Sequence, residues 1–148
     1  MRMIARRPAA VARIRGGREA PLLSGQVWFY QLPGGILVEA DISGLPNSTE
    51  AFHGFHIHTG AACSGEDFSV TGGHYDPTGR PHPRHAGDLP PLMSYGGRAY
   101  LAVITDRFSL ADIIGRTVFI HGMPDDFRSQ PAGNSGAKIA CGSIQRIR

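Results

Sequence analysis

Five of the chain's seven histidines fall between Phe55 and Asp88, in FHIHTGAACSGEDFSVTGGHYDPTGRPHPRHAGD. His56 and His58 are one residue apart; His74, His82, His85 and Asp88 follow at intervals of eight, three and three. On a β-strand, an H-x-H pair projects both imidazoles from one face, because side chains alternate with period two. Two neutral imidazoles side by side suit copper, zinc or nickel. Three histidines and a carboxylate can close into a tetrahedral shell, which favours zinc. The spacing therefore predicts most of a two-metal site, completed by His121. A histidine-rich loop can also bind metal loosely and adventitiously. The strand-borne pair argues against that, since it is preorganised.

The elements that must position these residues read as strands and turns. Gly54–His58 has strand character, with Phe55 and Ile57 facing a core opposite the two histidines. The residues after His58 are polar and rich in Gly and Pro, so His74 to Asp88 are expected on a long loop, and a loop of that length needs its own reason to be ordered. Strands are predicted over Ala10–Ile14, Gly25–Leu32, Ile36–Ile42, Arg98–Thr105, Thr117–His121 and Ile139–Ile147, rich in β-branched and aromatic residues. Glu39 and Asp41 are expected to face outward. Leu110–Ile114 is ambiguous between a helical turn and a short strand. A second polar loop spans Gly122–Lys138. His53 falls off the face of the H-x-H pair and reads as a hydrogen-bonded structural residue. These seven strands and the ambiguous Leu110–Ile114 segment, eight short elements without helical periodicity, predict an all-β fold, an eight-stranded Greek-key β-barrel or sandwich with two long functional loops.

The chain has 148 residues, enough for one domain, with a net charge of +3, 20 glycines and 11 prolines. That composition suits a turn-rich β protein. The expected organisation is an N-terminal extension over residues 1–9 and a β domain over 10–148. Basic residues gather at the two ends without an aromatic-basic platform, so no nucleic acid partner is expected. No apolar run reaches membrane-spanning length, and MRMIARRPAAVARIRGG lacks the apolar segment of an export signal. The expectation is no membrane partner and a cytoplasmic rather than exported chain.

The motifs GFHIH (54–58), GGHYDP (72–77), RHAGDL (84–89), IIGRTVFIH (113–121) and GNSGAKIACG (133–142), in this order, resemble the copper/zinc superoxide dismutases over roughly Ala10 to Ile144. The resemblance implies copper and zinc as cofactors. It implies copper ligands His56, His58, His74 and His121, and zinc ligands His74, His82, His85 and Asp88, with His74 shared between the metals. It further implies a Cys63–Cys141 disulfide, and Asp125 as the carboxylate joining His56 to His82. The expected reaction is dismutation of two superoxide anions to oxygen and hydrogen peroxide, with His74 supplying a proton.

Lys138 stands where the family pattern has an arginine beside the copper channel. It keeps the charge but not the planar fork, so weaker guidance of superoxide is expected. The metal-loop spacing of His82 and His85 and the second loop are shorter than the family pattern, and GDLPP replaces GDLGN. These departures touch subunit contacts and steering more than metal chemistry. The resemblance allows a homodimer, although its contact residues are not recognisable. Two other readings compete: a copper/zinc-binding module with low or no turnover, and a β domain stabilised by the site alone.

Overall fold

The computed structural model describes residues 6–64, 68 and 72–148. Residues 1–5 of the expected N-terminal extension lie outside the described residues, as do residues 65–67 and 69–71 of the metal loop.

Among the described residues the elements are β1 (Ala10–Gly16), β2 (Ser24–Leu32), β3 (Gly35–Ser43), β4 (Phe52–His53), β5 (Phe55–His58), β6 (Leu92–Met93), β7 (Ala99–Thr105), α1 (Leu110–Ile113), β8 (Thr117–His121) and β9 (Lys138–Arg146). Seven strands form one sheet in the order β5-β8-β9-β1-β2-β3-β7, and β4 pairs with β6 separately. Every pairing between named strands is antiparallel. The steps from β3 to β5 and from β7 to β8 cross the sheet, which gives the expected Greek-key connectivity. No helix among the described residues is long and apolar enough to cross a membrane.

The sheet curls because one face of all seven strands must bury a single apolar cluster. That cluster takes Ala12 and Ile14 from β1, Val27 and Phe29 from β2, Val38 and Ala40 from β3, Phe55 and Ile57 from β5, Val118 and Ile120 from β8, and Ile144 from β9. On β5 this period-two pattern leaves His56 and His58 on the opposite face, as the alternation requires.

One ambiguity is settled, and one local expectation resolves differently. Leu110–Ile113 is one turn of α-helix, started by a capping box in which Ser109 Oγ accepts from the Asp112 N–H and the Asp112 carboxylate accepts from the Ser109 N–H. That reciprocal pair satisfies two backbone donors and outweighs a short apolar alternation. Glu39 does face away from the main cluster, yet it is fully buried rather than solvated. Its carboxylate accepts from Tyr30 Oη and Tyr100 Oη, each at 2.6 Å.

Candidate metal centre

The centre is built on the free edge of β5. That strand pairs with β8 on one side only, and the metal loop fills the other. The Tyr75 N–H donates to Ile57 O and the Ile57 N–H to Gly87 O, both at 2.8 Å, while the Thr59 N–H donates to Gly73 O at 2.9 Å. These bonds place His74 opposite His58 and Asp88 opposite His56. Gly87 permits the approach: a Cβ there would lie 2.3 Å from Ile57 O. His121 ends β8 just past a register irregularity at Ile120/His121.

Four histidines converge on one point. The ligand atoms of His56, His58, His74 and His121 lie within 4.8 Å of one another. In each, one ring nitrogen is buried with no hydrogen-bond partner among the described residues: His56 Nδ1, His58 Nε2, His74 Nε2 and His121 Nε2. Unpaired buried nitrogens are costly in protein interiors, so four of them aimed inward mark a place built for a cation.

A second set lies beside the first. Ligand atoms of His56, His74, His82 and Asp88 also fall within 4.8 Å of one another. His74 Nδ1 is 2.6 Å from Asp88 Oδ1 and 3.2 Å from His85 Nδ1. His82 Nδ1 is 3.0 Å and His85 Nδ1 3.2 Å from Asp88 Oδ2. The two nitrogens of His74 therefore face the two sets, Nε2 toward the first and Nδ1 toward the second.

The far nitrogens fix the rings. Asp125 bridges the sets: Oδ2 accepts from His56 Nε2 at 2.8 Å, and Oδ1 from His82 Nε2 at 2.7 Å and from the Phe127 N–H at 2.8 Å. His58 Nδ1 donates to Gly72 O at 2.8 Å, and His121 Nδ1 to Gly136 O at 3.1 Å. Each bond leaves the inward nitrogen unprotonated, as a metal ligand must be. Gly133 makes room for the bridge, because a Cβ there would sit 2.0 Å from Asp125 Oδ1 and 2.6 Å from His82 Nε2. His53 is buried off this face, its Nδ1 2.8 Å from His121 O and its Nε2 3.2 Å from Pro46 O.

Electrostatics point the same way. Burial, against the hydrogen bond to Gly72 O, pushes His58 down to about 2. Burial and the neighbouring His56 take His121 down to about 3. Burial lowers His56 as well, against the pull of Asp125. All three rings stay neutral at physiological pH. Burial opposes ionisation of Asp125, but the bonds from His56, His82 and Phe127 outweigh it and hold the carboxyl below its ordinary range. At the rim, Lys138 Nζ donates to Gly72 O at 3.3 Å and lies 5.0 Å from the Phe119 ring centroid. Burial lowers its pKa, and its charge adds to the depression of His58 and His121.

Cys63 and Cys141 form a disulfide across 78 residues of chain. It ties the metal loop to β9, and Ser143 Oγ donates to Ala61 O at 3.3 Å nearby. The structure thus brings together every histidine, aspartate and cysteine expected at the site. Sequence reasoning missed the carbonyls of Gly72 and Gly136, for which the GGH and NSG turns are the local signals. It also missed Arg107, whose guanidinium donates to Pro83 O, His85 O and Asp88 O, and Gln130, whose amide pairs with the His82 backbone; no motif marks either. Four inward nitrogens match the N-donor coordination suited to copper, and three histidines with a carboxylate match zinc.

Residues 23–144 match the family described as copper/zinc superoxide dismutase (SODC). A Cu-Zn superoxide dismutase of Legionella pneumophila is 36% identical over 133 residues, covering 84% of this chain and 80% of that protein. One from Deinococcus radiodurans is 34% identical over 146 residues, with 84% and 79% covered. A third, Cu-Zn superoxide dismutase 1 of Aquifex aeolicus, is 34% identical over 136 residues, with 82% and 79% covered. Together with the histidine cluster on a curled antiparallel sheet, these matches mean that the chain belongs to the copper/zinc superoxide dismutase family.

Proposed function

We propose that the protein is an oxidoreductase that dismutes superoxide, two superoxide anions and two protons giving oxygen and hydrogen peroxide. The observation that carries this reading is His74, whose two ring nitrogens face two convergent ligand sets. In this reading His56, His58, His74 and His121 hold copper, and His74, His82, His85 and Asp88 hold zinc. Copper supplies one-electron redox chemistry, and zinc supplies a fixed cation that tunes the acidity of His74.

The chain's own residues do the rest. His74 carries a proton at Nε2 in one half of the cycle and gives it up in the other, while its Nδ1 side stays held beside Asp88 and His85. Asp125 keeps His56 and His82 in the tautomer that presents Nδ1 inward. Lys138 sets a positive charge at the rim, next to His58 and His121, and draws the anionic substrate inward. As an ammonium it acts as a point charge rather than a bidentate fork. The disulfide holds the metal loop against β9.

The test is copper and zinc content by mass spectrometry, together with a superoxide assay on the same sample. One copper and one zinc per chain with rapid turnover is expected. Full copper with a background rate would instead favour a binding module without dismutase turnover. The homodimer allowed by the family resemblance is tested by light scattering, against a subunit mass of 15.9 kDa.

A further inference from the structure

The ligand run from His82 to Asp88 is short, and its side chains alone do not explain its shape. His82, His85 and Asp88 all point inward and are buried. The backbone between them must therefore turn tightly, which drives several of its carbonyls outward together. Internal bonds fix part of that turn: the Arg84 N–H donates to Pro81 O at 2.7 Å, and the Asp88 N–H to His85 O at 3.1 Å. The outward carbonyls of Pro83, His85 and Asp88 meet a single group from another element. Arg107, in the segment between β7 and α1, places Nη1 2.9 Å from Pro83 O and 3.3 Å from both His85 O and Asp88 O.

Three carbonyl dipoles with their negative ends together repel one another, and a cation among them removes that repulsion. Without it the turn would relax by spreading the carbonyls, swinging the His85 and Asp88 side chains away from His74. The other end of the run is held differently. The Gln130 side-chain amide pairs reciprocally with the His82 backbone, accepting from its N–H at 2.8 Å and donating to its C=O at 2.8 Å. The same amide donates to Arg128 O at 3.1 Å, which fixes it within the second loop. Both side chains come from segments distant in sequence, and neither offers an atom to the metal sets.

We infer that Arg107 and Gln130 are positioning residues that preorganise the zinc half of the centre, Arg107 by gathering the carbonyls of residues 83, 85 and 88 and Gln130 by pinning the backbone of His82. This rests on the reading of His74, His82, His85 and Asp88 as the zinc set. A run already held in its ligating shape loses less conformational freedom when the cation binds, and releases it more slowly. Copper ligands come from β5, β8 and His74, so the copper half should feel these clamps weakly.

The experiment uses the fully loaded protein and its variants Arg107→Met, Arg107→Lys and Gln130→Met. Zinc release into excess of a colorimetric chelator is timed, copper retention and thermal midpoint are measured in parallel, and the cobalt(II) absorption spectrum is recorded after substitution at the zinc position. Arg107→Met and Gln130→Met should each release zinc about 10-fold faster, the scale seen for groups that orient metal ligands. Their cobalt bands should broaden, with copper retained. Arg107→Lys should recover part of the loss, since a point charge still faces the carbonyls. Zinc release within twofold of the parent in both variants would overturn the inference. So would parallel loss of copper and zinc tracking a lowered thermal midpoint, which indicates general destabilisation. If one variant fails to fold, the other decides by the same criteria. A His85→Ala control separates the layers: zinc retained undiminished there refutes the ligand set itself rather than the clamps.

Discussion

Replacing Cys63 and Cys141 together by serine should destabilise the metal-free protein by about 4 kcal/mol. The disulfide joins residues 78 apart, and the chain-entropy relation for a loop of that length gives about 15 cal/mol/K, or about 4.5 kcal/mol at 25 °C. Native proteins of this size are stable by only about 5–15 kcal/mol, so the loss would be a large fraction of the total. It should lower the thermal midpoint by roughly 10–20 °C. If the effect lies mainly in the unfolded chain, the folded variant should keep its far-ultraviolet spectrum, and the change in the denaturant slope should reflect a more expanded unfolded state. The assay is urea denaturation of chelator-stripped parent and variant at pH 7, with refolding rates. The folded state carries a second consequence: Ser143 Oγ and the Arg116 guanidinium remain as lateral ties, to Ala61 O and Thr59 O respectively. Copper affinity should therefore fall by less than the stability loss alone would suggest. A difference below about 1 kcal/mol between the two metal-free proteins would refute the loop-entropy reasoning.

Three further outcomes are expected. His58 and His121 sit at about 2 and 3 in the folded chain, below their ordinary 6.5, so the unfolded chain takes up their protons first as the solution is acidified. Metal-free stability should be full above about pH 6.5 and fall by up to about 5 kcal/mol by pH 4.5. The lowered Asp88 and Asp125 add a loss of the same sign only below about pH 4; a denaturation midpoint unchanged between pH 7 and 4.5 would refute this. Asp125→Asn presents an NH2 to one of two ring N–H groups and forces that ring into the tautomer whose Nδ1 is protonated. Metal affinity should fall about 10- to 100-fold, as measured by competition with a chelator. Lys138→Gln should slow turnover at low salt and flatten its dependence on ionic strength, as followed by stopped-flow mixing; an unchanged salt slope would show that this charge does not guide the substrate.

What the sequence made legible was whatever local chemistry repeats. The H-x-H pair reads as a same-face strand pair because Phe55 and Ile57 occupy the alternate core positions, and the His82, His85, Asp88 run reads as a ligand set from its residue types alone. Asp125 was legible only through family resemblance: it meets His56 across 69 residues and His82 across 43, distances no local pattern encodes. The backbone pairing of the metal loop with β5 was invisible, since polar residues such as Gly73 and His74 carry no apolar alternation. Glu39 was misplaced in water because its cover comes from Tyr30 and from Tyr100, the latter on a strand far along the chain. Arg107 and Gln130 act on main-chain atoms, so their side-chain types gave no sign of their targets.

The carbonyl of Gly72 receives both the His58 ring and the Lys138 ammonium. One oxygen thereby registers two otherwise separate things, the tautomer of a proposed copper ligand and the position of the Lys138 charge. A displacement of that peptide would disturb both together, so under the proposed function coordination and substrate attraction would share a common hinge point rather than vary independently.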